Sequence, residues 1–382
     1  MTQDFFEERK VKSNDIVNGL ARKDIYDSKG LLLVKKGSRI GEVHFKRMRE
    51  EGLVQEESHK KEETSSIKGI NYVNPNSVHG KLDVLIAGYA KLQKKFIAEP
   101  GPKEKDELKQ LEKVLIQLCD ENIFQVLGEL HIAEINNYNY IKPLYIAASL
   151  IELINRYNQY KKQPVIDDNK KINLIEAALL YSIGLLQLQK NISENKHILS
   201  PEEKQALRKN YPAQSIATMK KMGFTNPDCI EAVKNHNVAV SNPSFEALLL
   251  RTPFIYSGIA MPQFGRKGSD SMLNPCREFA QMFTEKKLDP VLGGLFLKIN
   301  GLAPIGSILL FDSREKAMVV AGPDKDNISS SKLRFLTNKA GLQLNRPGDT
   351  FYLHKTSLVQ KGLADHHSFA WSKFAPFTMW ER

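Results

Sequence analysis

The chain has 382 residues, of which 41% are hydrophobic and 26% charged, a composition that predicts an ordinary globular protein with a sizeable core and two or three domains. It has no run of about 18 uncharged apolar residues, and its opening stretch MTQDFFEERKVKSND lacks the apolar segment of a secretory signal. We therefore expect a cytoplasmic protein with no membrane insertion. The formal net charge of +11 is spread along the chain without a block of like charge, so we expect a lysine-rich solvated surface and no nucleic-acid partner.

Residues 1–55 predict a small N-terminal α/β module. The segment DIYDSKGLLLVKKGSRI contains two strand-like runs joined by a turn at 27–30, which is typical of a β-hairpin. The following GEVHFKRMREEGL predicts a short helix closed by Gly52. The stretch QEESHKKEETSSIKG carries almost no apolar side chains, and we expect a polar surface linker over residues 56–76.

Residues 77–136 predict a helical connecting region, with helical spacing of apolar residues over 78–97 and 104–127. The three cysteines of the chain are far apart in sequence, which predicts buried free thiols rather than disulfides or a zinc cluster. They are Cys119, Cys229 and Cys276.

Residues 137–305 predict a helical domain. Its helices have start signals in which a capping residue precedes proline. These pairs are Ser200–Pro201, Asn226–Pro227, Asn274–Pro275 and Asp289–Pro290. The helix predicted at 143–160 has one apolar face, whereas the one at 174–189 is apolar nearly all round, which indicates a central position in the bundle.

Residues 306–382 predict a β-rich C-terminal extension. A β-hairpin with its turn at 312–315 is expected first, followed by strands around 332–337 and 350–354. The segment SFAWSKFAPFTMWER then gathers both tryptophans, Trp371 and Trp380. Aromatic side chains so closely spaced either anchor a protein interface or dock onto their own domain, and the sequence leaves both alternatives open.

Several of these segments together resemble the HD-GYP family, bacterial proteins built on the helical HD phosphohydrolase fold. LIEAALLYSIGLLQL is similar to the stretch that carries AALLHDIGKL in that family, and LSPEEKQALRKNYPAQSIATMKKMG and LDPVLGGLFLKINGLAPIGSILLF are similar to later family segments. The resemblance implies a mainly α fold: an HD-GYP-like helical bundle with a small α/β N-terminal module and a β-rich C-terminal extension. Active members of the family hydrolyse cyclic di-GMP at a site with two or three metal ions.

The same resemblance implies that the catalytic site is lost in this chain. The family's ligand and catalytic positions fall here on Lys142, Tyr181, Ser182, Leu185, Tyr211, Asn235, His236 and Asn237. Only His236 among these is an ordinary metal ligand, and a lysine at 142 opposes a cation electrostatically. A further family aspartate falls near Ser257. We therefore expect no bound metal, no cofactor and no catalysis.

Other interpretations of these residues stay open. Tyr181 and Tyr211 are expected to fill the space of the lost site by packing and hydrogen bonding, and His236 to be a hydrogen-bonded histidine at a helix end. Two further groups are candidate metal ligands. The first is the pair His366–His367, for which two exposed surface histidines are the simpler interpretation. The second is the acidic set His131, Asp167–Asp168 and Glu176, in which Asp167–Asp168 is more simply a polar turn before a helix.

Three functions remain as hypotheses. The first is a catalytically inactive regulatory or scaffold protein in cyclic di-GMP-related signalling, whose protein partner is, by family association, a diguanylate cyclase or a motility or secretion component. The second is a metal-independent cyclic di-GMP sensor that holds phosphates through residues such as Lys142, although NVAVSNPSFEALLL is shorter than the family's nucleotide loop. The third is a phosphohydrolase of altered chemistry, for which the sequence offers no glycine-rich phosphate loop and no GxSxG motif.

Overall fold

The structure is a computed structural model that describes most of the chain. The residues described are 16–17, 20–21, 24–26, 32–36, 77–132, 138–194, 201–237, 243–261, 273–285, 287–324, 327–358, 360–363 and 379–380. The chain divides into two compact units, residues 1–64 and 65–382. The described part is mainly helical, with a small antiparallel sheet late in the chain.

The described part of the first unit consists of two short antiparallel strand pairs. Strand β1 (Ile16–Val17) pairs with β2 (Leu20–Ala21), and β3 (Ile25–Tyr26) pairs with β4 (Leu32–Val34). Strands β3 and β4 confirm the predicted hairpin. The helix predicted before Gly52 and the linker at 56–76 lie outside the described residues.

The second unit has a helical part that begins at residue 78 and ends at residue 300. Its helices in chain order are α1 (Val78–Ala98), α2 (Pro102–Ile132), α3 (Tyr138–Lys161), α4 (Asp168–Leu180), α5 (Ile183–Glu194), α6 (Pro201–Lys221), α7 (Pro227–Asn235), α8 (Phe245–Ala260), α9 (Leu273–Thr284) and α10 (Pro290–Asn300). Their apolar side chains form a continuous core. All three cysteines are buried free thiols, as predicted.

The helix starts follow the capping signals in the sequence. The side chain of Asn226 accepts hydrogen bonds from the first backbone N–H groups of α7, and Asp289 accepts one from Leu292 at the start of α10. Both predicted caps are thereby confirmed. The cap predicted at Asn274 is wrong, because α9 already begins at Leu273 and the Asn–Pro pair lies inside its first turn. The predicted cap at Ser200 lies outside the described residues.

Helix α2 is interrupted at Asn122, whose backbone is extended (φ −160°, ψ 91°). The Asn122 side chain accepts a hydrogen bond from the N–H of Gln125 at 3.1 Å. Asn122 therefore acts as an N-cap within the helix, and the second half of α2 takes a new direction.

The single helix predicted over 174–189 is two helices, α4 and α5, separated by a turn at Tyr181 and Ser182. The cause is a side chain of α6. Ser215 Oγ donates to the carbonyl of Tyr181 at 2.7 Å and accepts from the N–H of Gly184 at 2.9 Å. The hydroxyl thus satisfies two backbone groups that the break leaves unpaired.

The central position predicted for this stretch is confirmed, since every residue from 174 to 180 is buried. Among the described residues, one stretch, 168–188, is long and apolar enough to cross a membrane by length and composition. However, 67% of the residues in its most apolar window are buried inside the fold, as in the core helix of a folded domain.

A five-stranded antiparallel sheet follows the helices. Its strands are β5 (Ile308–Phe311), β6 (Lys316–Ala321), β7 (Lys332–Phe335), β8 (Thr350–Tyr352) and β9 (Gln360–Leu363), in the spatial order β8-β7-β6-β5-β9. The predicted hairpin with its turn at 312–315 is β5–β6. The later strands predicted around 332–337 and 350–354 are β7 and β8, so these predictions are also confirmed.

Gly128 in α2 is the point at which three parts of the second unit meet. The ring of Trp380 covers one side of Gly128, so closely that a Cβ at this position would overlap the indole. Gly306, which has a positive φ of 93° and precedes β5, lies against the Gly128 backbone. Trp380 is only 7% exposed. Of the two alternatives for the aromatic segment, Trp380 therefore docks onto its own chain, whereas Trp371 lies outside the described residues.

Candidate functional site

Three of the residues that the family resemblance indicates lie around one aromatic ring, that of Phe254 in α8. The rings of Tyr181 and His236 lie 5.5 Å and 4.7 Å from it between centroids, both edge to face. Lys142 Nζ lies 4.8 Å from the same centroid. Tyr211 joins the group through His236, at 5.7 Å between ring centroids. We call Lys142, Tyr181, Tyr211, His236 and Phe254 the His236 cluster.

His236 follows α7 as its C-cap residue and is fully buried. Its Nδ1 lies 2.7 Å from the carbonyl oxygen of Val233, and its Nε2 lies 2.7 Å from the hydroxyl of Tyr211. Because a carbonyl can only accept, Nδ1 carries the proton, and Nε2 accepts from Tyr211. Burial lowers the pKa of His236 to about 4, and the charges of Lys142 and Arg251 contribute in the same direction. The imidazole is therefore neutral at pH 7, with both nitrogens hydrogen bonded.

The two tyrosines of the cluster are buried side chains. Tyr181 and Tyr211 are each 3% exposed, and Tyr181 lies 5.1 Å from His236 between ring centroids. Burial raises the pKa of Tyr211, opposed by a hydrogen bond with Asn237 and by the charge of Arg208. The phenol of Tyr211 therefore stays protonated and hydrogen bonds with His236, and Tyr181 packs against the rings of His236 and Phe254.

Besides Lys142, which belongs to the cluster, two arginines act electrostatically on its members: Arg208 on Lys142 and Tyr211, and Arg251 on His236. Lys142 in α3 is half-buried, and its pKa is lowered to about 8 by desolvation and by the charge of Arg208. Arg251 in α8 is 6% exposed, and Arg208 in α6 is exposed. Arg208 precedes Tyr211 by three positions, and Arg251 precedes Phe254 by three, so each arginine shares a helix face with a ring of the cluster.

The other positions indicated by the resemblance lie outside the His236 cluster. Ser182 is buried beside Tyr181, and its Oγ has no hydrogen-bond partner among the described residues. Asn237 donates to the carbonyl of Arg208 at 2.7 Å, and so borders the cluster. Asn235 instead donates to Glu231 on its own helix, and Leu185 packs on the core.

Ser257, the position assigned to a further family aspartate, lies one turn after Phe254 in α8. It is fully buried, and its hydroxyl donates to the carbonyl of Phe254 at 2.9 Å. Sequence reasoning did not select Phe254, Arg208 or Arg251. Only Arg251 carries a local signal, a charge within the apolar run EALLLRTPFIY.

The residues of the alternative acidic set have different partners. Asp167 caps α4 by accepting from the N–H of Lys170, which confirms the polar turn before a helix. His131 lies beside Tyr145 and Ser307, whereas Glu176 lies near Glu112. Within the part of the chain that the structure describes, no three histidine, cysteine or acidic side chains are arranged to hold a metal ion. The pair His366–His367 lies outside the described residues.

A second group of buried polar side chains joins α2, α4 and α7. Glu112 and Glu176 are 3% and 5% exposed, and Cys229 is fully buried near them. Burial raises the pKa of Glu112 to about 8, with a further contribution from Glu176. Glu112 Oε1 has no hydrogen-bond partner among the described residues. Glu112 therefore keeps its proton at neutral pH, and the sequence had not indicated this pair.

Comparison of the chain with family models, with curated proteins and with solved structures found no match. The His236 cluster and the segments that resemble the HD-GYP family are the features of the chain that bear on its function.

Proposed function

We propose that this chain is a catalytically inactive HD-GYP-like protein that acts as a regulatory or scaffold protein by binding a protein partner in cyclic di-GMP-related signalling. The observation that carries the proposal is the state of His236. Its two ring nitrogens are hydrogen bonded to Val233 and Tyr211. A metal-bound histidine must direct a nitrogen lone pair at the ion, and here the lone pair of Nε2 accepts a hydrogen bond from the phenol of Tyr211 instead.

The charges around His236 support the same interpretation. A dinuclear phosphodiesterase centre needs carboxylates and imidazoles that offset the charge of two divalent cations. The positions in question carry the ammonium of Lys142 and the phenol of Tyr181, and the buried guanidinium of Arg251 adds a further positive charge. Positive charge at this place raises the free energy of any bound cation.

The protein partner follows from the resemblance, which implies a diguanylate cyclase or a component of a motility or secretion apparatus. Because Trp380 packs onto Gly128 of its own chain, the partner is expected to bind a surface other than that of this indole. The scaffold role then requires a folded helical domain and does not require turnover.

Metal analysis and phosphodiesterase assays test the absence of catalysis. We expect the purified protein, incubated with Fe²⁺ or Mn²⁺ without oxygen, to bind less than stoichiometric metal and to leave cyclic di-GMP intact. A variant that restores ligands, Lys142→His with Tyr181→His and Ser182→Asp, is expected to bind more metal if the scaffold is HD-GYP-like. One metal ion per chain in the unmodified protein, or measurable hydrolysis, would overturn the proposal.

Binding to a partner is tested separately. Candidate diguanylate cyclases and motility or secretion components from the same cell are titrated against the purified chain by calorimetry. Saturable binding that leaves cyclic di-GMP unhydrolysed supports a scaffold role. Absence of binding to all of these candidates, in a sample with native circular dichroism, contradicts it.

A further inference from the structure

The first turn of α1 contacts α2 on both sides of the break at Asn122. Lys81 Nζ lies 3.1 Å from Oε2 of Glu121, immediately before the break. His79 Nδ1 lies 2.7 Å from Oε2 of Glu129, about two turns after it. The same end of α1 therefore contacts both segments of α2, and His79 makes the contact with the second segment, residues 123–132.

The contact between His79 and Glu129 is largely shielded from water, since their side chains are 16% and 7% exposed. The other carboxylate oxygen of Glu129 accepts a hydrogen bond from Gln125 Nε2 at 2.7 Å, which fixes the carboxylate in place. On the far side of the ring, His79 Nε2 is buried and has no hydrogen-bond partner among the described residues. It lies 3.7 Å from Oδ2 of Asp83. Of the described charged groups, Glu129 from α2 and Asp83 from α1 itself act on the imidazole.

Carboxylates on both sides of the ring favour its protonated form. A neutral imidazole has a single N–H, whereas both nitrogens of His79 face carboxylate oxygens, which can only accept. With one proton on Nδ1, the lone pair of Nε2 would lie beside the negative charge of Asp83, and a second proton replaces this repulsion by attraction. Burial opposes the charged ring, but the hydrogen bond with Glu129 and the charges of Glu129 and Asp83 outweigh it and raise the pKa of His79.

The second segment of α2 also holds two later parts of the chain. Gly128, the neighbour of Glu129, is covered by the ring of Trp380 and touches the backbone of Gly306 before β5. A change in the angle between this segment and α1 would therefore alter the surroundings of Trp380. The backbone at Asn122 is already non-helical, so the two segments of α2 can change their angle without disrupting a continuous helix.

We propose that protonated His79 is a pH-sensitive latch, which holds the second segment of α2 against α1 and on losing its proton releases that segment and its contact with Trp380. The latch is closed below about pH 6.5 and opens as the pH rises through the raised pKa of His79. The contact between Lys81 and Glu121 lies before the break and keeps the first segment in place. The device goes beyond the proposed scaffold function and does not depend on it.

Tryptophan fluorescence of the full chain tests the latch. The chain has two tryptophans, so the Trp371→Phe variant carries Trp380 alone. Its emission is expected to shift to longer wavelength between about pH 6 and pH 9, with a midpoint above about 6.5, because the indole gains contact with water. Adding His79→Gln supplies a neutral side chain that can still donate to Glu129. The emission of this double variant should be independent of pH and should resemble that of the parent at pH 9.

Two further variants in the Trp371→Phe background are matched controls. His354→Gln removes an exposed histidine and should leave the transition unchanged. Glu112→Gln removes another group of α2 whose pKa lies in this range, at about 8, and should also leave it unchanged. Loss of the transition in either control, with its retention in His79→Gln, would assign it to a group other than His79 and overturn the proposal.

Nuclear magnetic resonance of the histidine ring signals gives an independent measurement on the unmodified chain. The His79 signal is expected to titrate above about pH 6.5, and its midpoint should fall in Glu129→Gln, which lacks the carboxylate. A midpoint at or below 6.5 in the unmodified chain would overturn the latch. So would a raised midpoint accompanied by Trp380 emission that does not change with pH, because His79 would then titrate without releasing the segment.

Discussion

The hydroxyl of Tyr211 donates a hydrogen bond of 2.7 Å to Nε2 of His236 and so joins α6 to the end of α7. The bond requires a neutral imidazole, since a protonated ring has no lone pair to accept. The second ring nitrogen already donates to Val233. The contact therefore couples the packing of two helices to the protonation state of one buried side chain.

This coupling predicts loss of stability in acid. The pKa of His236 is about 4 in the folded chain and about 6.5 when unfolded, so between these values the unfolded chain binds a proton that the folded chain does not. The contribution of neutral His236 to the free energy of unfolding is complete above pH 6.5. It is lost as the pH falls toward 4, which lowers the free energy of unfolding by about 3 kcal/mol. Urea unfolding between pH 4.5 and 7 measures the slope.

A matched variant isolates the histidine from other titrating groups. His236→Phe alone would leave the Tyr211 hydroxyl buried without its acceptor, so the variant to compare is His236→Phe with Tyr211→Phe. Its free energy of unfolding is expected to fall less steeply in acid than that of the unmodified chain. Identical slopes would show that His236 titrates normally in the folded state.

Glu112 predicts the opposite dependence on pH. Its pKa is raised to about 8, so the folded chain retains a proton that the unfolded chain releases above about pH 4.5. The stability contributed by this group is complete below pH 4.5 and is lost as the pH rises through 8. Glu112→Gln keeps the shape of the neutral side chain and is expected to be more stable than the unmodified protein at pH 8, by on the order of 3 kcal/mol.

The control for Glu112 is Asp106→Asn, because Asp106 is an exposed acid on the same helix. We expect this substitution to change the free energy of unfolding at pH 8 by less than about 0.5 kcal/mol. Chemical unfolding at pH 5 and pH 8 gives both comparisons. The stability advantage of Glu112→Gln over the unmodified protein should be larger at pH 8 than at pH 5. An equal difference at the two pH values would mean that the carboxyl is already ionised in the folded chain.

Gly184 and Gly294 form a natural pair for mutation, since both lie within helices and only one is crowded. A Cβ at Gly184 would overlap the carbonyl oxygen of Tyr211 and lie 2.5 Å from the backbone nitrogen of Ser215, whereas a Cβ at Gly294 meets nothing within 4 Å. We expect Gly184→Ala to cost about 2 kcal/mol or more, because backbone atoms must move. Gly294→Ala should instead gain about 0.5–1 kcal/mol from helix propensity. Similar values for the two variants would contradict the close approach of α5 to α6.

A double-mutant cycle tests the contact between Gly128 and Trp380. Gly128→Ala should destabilise the unmodified chain by about 2 kcal/mol, because the added methyl group displaces the indole. In a Trp380→Ala background the same substitution should cost little, since the obstructing ring is gone. Additive effects in the cycle would place Trp380 elsewhere in solution.

Local signals in the sequence predicted those parts of the fold that depend on near neighbours. The caps at Asn226 and Asp289 and the hairpin β5–β6 require only residues within a few positions. The break after Leu180 could not be predicted, because the hydroxyl that stabilises it belongs to Ser215 on another helix. An uninterrupted apolar pattern was therefore interpreted as one helix.

In the candidate site, too, the sequence indicated individual residues but not the contacts between helices. The resemblance to a known family drew attention to Tyr211 and His236, but their hydrogen bond depends on where α6 and α7 cross. Arg251 lies within an apolar run, and only its three-dimensional surroundings distinguish a structural charge from part of a cationic group. Such convergence is a property of tertiary structure, and no spacing along the chain encodes it.

The contact between Trp380 and Gly128 of α2 has a consequence for the order of folding. Gly128 and Trp380 are 252 positions apart, and contacts of such separation form late because a long loop must close first. A nascent chain emerging from the ribosome will therefore expose the apolar surface around Gly128 until residue 380 has been synthesised. During that interval this surface is open to chaperones and to unwanted association with other chains.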